Sequence, residues 1–449
     1  MNQDFKEINE SYSLAEAISE AQRCLHCKVP NCKKGCPISN DIPDWIGEIA
    51  KGNFGNAVSI INRKSNLPAV CGRVCAHERQ CEGNCVLGKK GAHINIGKLE
   101  RFVADFDTDT HLTHEAIPEK SRGRVAVIGS GPAGLTIAGD LSRRGFAVEI
   151  FEMEPEAGGV LMFGIPEYRL PKEVVRREIK KIENLGVTFH LNTTIGQDYT
   201  IDDLFARGFD AIFMGTGTGN PKRPDIPGIN HFGVRQAIRF LRRVSLYEAG
   251  MIRQEEVIIG KDDRVFVLGC GNTAMDAART ALRMGASEVY IVFPYTIDEM
   301  TALRVEYDEA LAEGVKFLWE TSIVEIRGKD GEQKLQSIVL EHDGKKREVP
   351  AEHVVLAIGS GPAARIVSTT SGIEVDERGY VKTTDRPYGM TTRRGVFAGG
   401  DVTARPASVV HAMQNSKEVA EGIEQYVDAL RLMTDIGMLG NESADSSRD

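Results

Sequence analysis

Apolar positions in the first sixty residues recur at helical spacing. Ile8, Leu14, Ala17 and Ile18 fall on one stripe among charged residues, which predicts a helix within residues 1–20, and the stretch from Ile42 to Ile61 reads the same way. Asp41 is placed to cap that second helix, with Pro43 in its first turn. Residues 105–122 are polar and without period, as expected of a linker. Beyond them the pattern changes to short apolar runs that lead straight into glycines. Arg124 opens the run Val125–Ile128, followed by Gly129-Ser130-Gly131-Pro132-Ala133-Gly134. Arg264, 140 residues later, opens Val265–Leu268, followed by Gly269-Cys270-Gly271-Asn272-Thr273-Ala274. Each is a strand, then G-x-G-x-x-G/A, then a run able to form a helix. The second nearly copies the first, so a βα unit is duplicated and two dinucleotide-binding domains are expected. The segment Asn441 to Asp449 is polar and expected to be disordered.

In the first motif the glycines permit a tight turn and let backbone approach a pyrophosphate at the helix N-terminus. The strand Val148–Phe151 follows and delivers Glu152, 23 residues after Gly129, where a carboxylate accepts hydrogen bonds from ribose hydroxyls. Gly158 and Gly159 come next. Further on, Gly395–Asp401 (GVFAGGD) sends an apolar strand into Gly399, Gly400 and Asp401, with a helix expected to start within Ala407–Met413. Such a loop suits the far end of an extended dinucleotide. Gly129, Gly131, Pro132, Ala133, Gly134, Glu152, Gly159, Gly400 and Asp401 together resemble the FAD site of two-dinucleotide flavoproteins. Gly269, Gly271, Asn272, Thr273 and Ala274 then form the nicotinamide site, and Cys270 reads as a small buried filler in the turn. The strand Val289–Phe293 runs into Pro294 and Tyr295. It offers neither the acid that takes the 2′-hydroxyl of NAD nor the arginine that takes the 2′-phosphate of NADP. Asp298 and Glu299 follow and would repel a 2′-phosphate, so NADH is favoured, with Arg279, Arg283 and Arg304 as the residues able to reverse that choice.

Composition narrows the class. The chain has 449 residues, enough for roughly two to four domains. Its 64 acidic and 55 basic residues leave a net charge of -9, which gives no electrostatic reason to bind nucleic acid or an anionic membrane. No apolar run is long enough to span a bilayer, and the first thirty residues lack the apolar core of a secretory signal, so a cytoplasmic protein is expected. Eight of the nine cysteines lie before residue 86. They form two quartets, Cys24-x2-Cys27-x4-Cys32-x3-Cys36-Pro37 and Cys71-x3-Cys75-x5-Cys81-x3-Cys85. Dense cysteines without export point to metal. Two [4Fe-4S] clusters fit the spacing better than zinc, whose separated pairs His26 and His77 do not complete, and better than disulfides. Reductases of related architecture hand flavin electrons to a cysteine pair. Here no pair follows Cys85, and clusters supply the exit instead.

At this point the sequence resembles the small (beta) subunit of glutamate synthase. It also resembles the FAD- and NADP-binding large subunit of electron-bifurcating ferredoxin:NADP oxidoreductases and the N-terminal half of dihydropyrimidine dehydrogenase. The resemblance spans about residues 14–430 and rests on CLHCKVPNCKKGCP, CGRVCAHERQCEGNC, INIGKLERFVADF, VAVIGSGPAGL, GIPEYRLPK, GCGNTAMDAARTALRMGA and GVFAGGDV. It implies an α/β chain in which a helical iron–sulfur domain (1–115) precedes two Rossmann-like domains. The FAD domain would be in two parts (121–230 and 369–435), the nicotinamide domain between them (231–368) and a flexible tail at 436–449. It implies interleaved ligation: Cys24, Cys27, Cys32 and Cys85 for one cluster, and Cys36, Cys75, Cys81 and Glu100 for the other, with Cys71 unligated. In GIPEYRLPK it implies a cofactor-binding role for Arg169. The chain departs from the family at Phe293-Pro294, where members that use NADPH carry two arginines, and at Met162-Phe163, where arginine and tyrosine are common. The function implied is an electron-transfer subunit with no catalytic side chain of its own, passing electrons between NAD(P)H, FAD and the clusters to a larger catalytic subunit. The alternatives are a ferredoxin-linked, electron-bifurcating complex and a non-catalytic assembly subunit.

Overall fold

The computed structural model describes residues 5–436 except 111, 114, 258, 329–332, 363–364 and 404–407. Nearly all of the expected tail lies outside the described residues, as do residues 1–4. The chain forms two compact units. One comprises Ser11–Gly159, Val174–Gly219 and Pro362–Asp449; the other comprises Met1–Glu10, Val160–Glu173 and Asn220–Gly361.

The first unit opens with short helices: Leu14–Gln22, Asn31–Gly35, Ile42–Ala50, Phe54–Asn62, Pro68–Val74 and the longer Ile96–Thr110. The first helix starts at Leu14 rather than earlier because Ser13 caps it in a reciprocal box with Glu16. The stretch expected as one helix from Ile42 to Ile61 is two, broken at Gly52, whose φ of +79° turns the chain. Asp41 stands at the N-cap with Pro43 after it, yet its side chain makes no capping bond and pairs with Lys33 instead. Residues 105–110, expected within the linker, complete the helix Ile96–Thr110, because Phe102 and Phe106 pack on Phe54 with ring centres 5.7 and 4.9 Å away. Trp45, Ile46, Ile49, Ile61 and Leu99 are buried among these helices.

The same unit carries a seven-stranded sheet. Its order is Thr383–Asp385, Tyr388–Thr391, Val396–Ala398, Ala211–Met214, Arg124–Ile128, Ala147–Phe151 and Thr188–His190. The last five are mutually parallel, with the helix Pro132–Arg143 following Arg124–Ile128 and the 27-residue helix Val409–Asp435 following the loop after Val396–Ala398.

The other unit holds a five-stranded parallel sheet in the order Val234–Gln236, His353–Leu356, Arg264–Leu268, Glu288–Val292 and Lys316–Leu318. A three-stranded antiparallel sheet follows, Thr321–Gly328, Leu335–His342 and Lys345–Pro350. Phe5 packs against its core, and the Ile8 N–H donates to the Tyr168 carbonyl at 3.1 Å. Among the described residues, no helix is long and apolar enough to cross a membrane.

Candidate cluster and dinucleotide sites

The helical part encloses two separate hollows, and the cysteines divide between them across the quartets. Cys24, Cys27, Cys32 and Cys85 line the first, among Leu25, Ile42, Ile46, Leu87, Ile94 and Ile96. Cys36, Cys71, Cys75, Cys81 and Glu100 line the second, with Asn40, Trp45, His77, Gln80 and Val410. The switch of Cys36 has a local cause. The helix Asn31–Gly35 ends at Cys36, whose backbone is extended, so the thiol leaves the side shared by Cys27 and Cys32. Glu100 reaches the second hollow because the helices Pro68–Val74 and Ile96–Thr110 touch backbone to backbone. A β-carbon at Gly72 would lie 2.5 Å from the Arg101 nitrogen, and one at Gly97 would lie 2.3 Å from the His77 ring. His26, in the left-handed region at φ 47°, lays its ring against Gly47.

The chemistry of these walls fits iron–sulfur clusters. Burial pushes the Cys32 and Cys36 thiols up to about 11, so a bound metal must displace their protons. Burial, aided by Glu178, pushes the Glu100 carboxyl up to about 8, although the hollow leaves it some solvent. Three buried polar atoms on the second wall have no hydrogen-bond partner among the described residues: the Trp45 indole N–H, His77 Nε2 and Asn40 Oδ1. The Trp45 indole N–H suits a cluster sulfide. Cys71 is buried against other sulfur and oxygen, 3.6 Å from the Met413 Sδ and 3.9 Å from the Ser65 hydroxyl. Among the described residues, no three His, Cys, Asp or Glu side chains converge tightly enough for a single bound ion.

Around the N-terminus of the helix Pro132–Arg143 three glycine segments converge. Gly129 has φ +94°, and a β-carbon there would meet the Gly215 carbonyl at 2.8 Å; one at Gly134 would lie 1.9 Å from the Gly129 carbonyl. Gly159 seats its backbone on Gly131, and Gly400 on Ala133. By contrast, a β-carbon on Gly131 would meet nothing within 4 Å, and no side chain caps the helix there. The first N–H groups of the helix thus have no side-chain cap, and the space beside Gly131 is open, as a pyrophosphate requires. Glu152 ends its strand beside this loop, accepting from the Ser130 N–H (2.9 Å) and hydroxyl (2.6 Å) through one oxygen and from the Glu154 N–H (2.9 Å) through the other. Asp401 follows in a short 3₁₀ turn, Gly400–Val402.

The second motif repeats this geometry. Gly271 precedes the helix Asn272–Arg283 without a side-chain cap, Gly269 (φ +119°) packs on the Ala357 carbonyl, Thr273 is exposed and Ala274 buried. The Asn272 side chain is occupied by the Leu303 N–H at 2.8 Å. Cys270 is buried, its thiol pushed up to about 12 by desolvation, which suits a filler.

Arg169 stands elsewhere in that unit. Its guanidinium is buried against Asp276, 2.8 Å away on the helix Asn272–Arg283, and against Glu306 at 2.5 Å. Burial raises both carboxyls even with the arginine beside them, Glu306 to about 7. Sequence spacing gave no signal for these two partners. Removing one member of a buried pair strands the other charge, at a cost of about 3–5 kcal/mol. Arg169→Met is therefore expected to lower the thermal midpoint. The two carboxyls, raised further above their unfolded values, contribute stability that is lost as pH rises through them, so the deficit should shrink toward pH 5. A midpoint loss that is equal at pH 5 and pH 8 would contradict this.

Comparison with known proteins agrees with this layout. Residues 1–112 match the family described as dihydropyrimidine dehydrogenase domain II, 4Fe-4S cluster, and residues 123–416 match pyridine nucleotide-disulphide oxidoreductase. The Mycobacterium tuberculosis FprA structure in complex with NADPH shares the fold at a TM-score of 0.56 and 20% identity, over 70% of this chain and 86% of that one. Fold and site thus define an oxidoreductase with FAD, a nicotinamide nucleotide and an iron–sulfur domain. The glutamate synthase [NADPH] small chain of Halomonas elongata is 36% identical over 94% of this chain and 93% of its own. The NAD-dependent dihydropyrimidine dehydrogenase subunit PreT of Escherichia coli (strain K12) is 32% identical over 94% and 97%. The chain belongs to the family of the glutamate synthase small chains.

Proposed function

We propose that the chain is the electron-transfer subunit of a cytoplasmic heteromer, taking electrons from a nicotinamide nucleotide and passing them to a site on a larger partner chain. The observation that carries this reading is the pair of separate cysteine-lined hollows in the same unit as the first glycine motif. Cys24, Cys27, Cys32 and Cys85 would hold one [4Fe-4S] cluster. Cys36, Cys75, Cys81 and Glu100 would hold the other, leaving Cys71 to its contact with Met413. The second hollow is the one closed by Val410, at the start of the helix that follows the Gly400–Asp401 loop. Gly129, Gly131, Pro132, Ala133, Gly134, Glu152, Gly159, Gly400 and Asp401 would seat FAD. Gly269, Gly271, Asn272, Thr273 and Ala274 would seat the nicotinamide nucleotide, and Arg169 would brace the helix behind that loop. When bound, the flavin couples two-electron hydride chemistry to single electrons and the clusters carry those singly. The protein contributes binding and orientation, and no side chain is needed as acid or base. Relatives named as small chains or subunits support a partner, and nine unpaired thiols suit a reducing compartment.

Protein purified without oxygen should contain about eight iron atoms and one FAD per chain. Metal and flavin analysis checks this; about two zinc atoms per chain and no iron would refute the cluster reading.

A further inference from the structure

The nicotinamide unit contains a cavity of about 400 Å³ away from its glycine loop, and its wall is strongly cationic. Arg223, Arg235, Arg239 and Arg243 line it, with Asn220, Gln236 and a few apolar residues, and no carboxylate does so among the described residues. Chain topology gathers these arginines. Arg235 lies in the strand Val234–Gln236, Arg239 and Arg243 lie one turn apart on the helix Ala237–Glu248, and Arg223 lies in the segment before them. The cavity opens at the carboxyl ends of two parallel strands, since Gln236 pairs with Leu356 and both line it. Ligands of open parallel sheets bind at such ends.

The guanidiniums carry charge that the protein leaves unbalanced. Among the described residues Arg223 and Arg243 donate only to the carbonyls of Ile229 (2.9 Å) and Glu256 (2.6 Å). The Arg235 Nε is buried without a hydrogen-bond partner among the described residues. Burial, and then the charge of Arg243, depress the Arg235 pKa; the opposing carboxylate, Asp263, is already bonded to His353 at 3.0 Å. Elsewhere in this unit buried arginines are matched by acids, as Arg279 is by Glu306, Glu309 and Glu313. Four cations with no ion pair among the described residues, around a space of small-molecule size, focus a positive potential into it.

We propose that this cavity binds the phosphate groups of a small phosphorylated ligand, held by Arg223, Arg235, Arg239 and Arg243. Guanidinium forks match phosphate oxygens bidentately, and a doubly charged group satisfies the Arg235 Nε that is otherwise stranded. The phosphate has two possible sources: a nicotinamide nucleotide lying across the sheet, or a free phosphate ester. The cavity wall ends at Leu356, and the next residue, Ala357, touches Gly269 of the glycine loop, which puts both sources within reach.

Calorimetry on the full holoprotein with inorganic pyrophosphate tests the assignment. The wild type should bind it, and Arg235→Gln and Arg239→Gln should each weaken binding about tenfold, together about a hundredfold. Arg239 is exposed, so its variant keeps the fold even if Arg235→Gln does not. Repeating the titration with saturating NADH and then NADPH separates the sources. Loss of the pyrophosphate signal assigns the phosphates to the nucleotide, and persistence assigns them to a free ester. Absence of binding in the wild type, or equal affinity in wild type and Arg239→Gln, overturns the proposal. The iron and FAD content of these variants should match the wild type, so this result is independent of the cluster and flavin reading.

Discussion

NADH is expected to bleach the bound flavin at least tenfold more efficiently than NADPH. A 2′-phosphate brings nearly two negative charges and needs guanidinium partners after the strand of the second motif. That strand ends at Val292, and the residues beyond are Phe293, edge-on to Tyr295 and Trp319 at 5.3 and 6.2 Å, and the exposed Pro294. Glu299 is spent on its own turn, where it accepts from the Thr296 N–H and hydroxyl, while Asp298 stays exposed. The three arginines that the sequence places within reach of that strand end are engaged. Arg279 is fully buried among Glu306, Glu309 and Glu313, Arg283 is paired with Glu313, and Arg304 is bonded to Asp308 at 3.0 Å. Each missing charged hydrogen bond costs about 1.5–3 kcal/mol, and two of them exceed a tenfold preference. Family relatives carry both NADPH and NAD in their names, so ancestry does not decide the matter. Anaerobic reduction followed in the visible flavin band, with each nucleotide in turn, measures the ratio. Faster reduction by NADPH would overturn the charge argument, and no reduction by either would favour an assembly subunit.

Glu100→Ala should halve the iron content, from about eight to about four atoms per chain, while FAD stays in place. Glu100 shares its hollow with Cys36, Cys75 and Cys81, and among the described residues no other carboxylate lines that wall. Alanine removes an oxygen donor and adds no strain to a helix interior. The electron paramagnetic resonance spectrum of the reduced protein should lose one component. Glu100→Cys, which restores an anionic donor, should retain more iron than Glu100→Ala. An unchanged spectrum and iron count in Glu100→Ala would deny the residue a ligand role, and Cys71, on the same wall, would become the fourth ligand to test.

The two glycine motifs were legible because their physics is local: strand, turn and helix follow within a dozen residues. Other features are decided by contacts between distant segments. Spacing alone divides the cysteines into two plain quartets, whereas the hollows group Cys85 with Cys24, Cys27 and Cys32, and Cys36 with Cys71, Cys75 and Cys81. The helix break at Gly52 was hidden because apolar period continues on both sides of it. Asp105 to Thr110 looked like a linker, and packing of Phe106 on Phe54 outweighs that polar composition. The four cavity arginines spread over twenty-one positions and form no motif in the sequence; the strand Val234–Gln236 and the helix Ala237–Glu248 bring three of them to one cavity.

The segment Met1–Glu10 belongs to the nicotinamide unit, which resumes only at Val160 and is interrupted again between Glu173 and Asn220. Phe5 therefore packs in that core through contacts far away in sequence. Contacts so remote in sequence close late, and they slow folding. Dissection is constrained in the same way. A cut at Ser11 removes Phe5 and the Ile8–Tyr168 bond from the nicotinamide unit, and neither unit is one uninterrupted stretch of this chain.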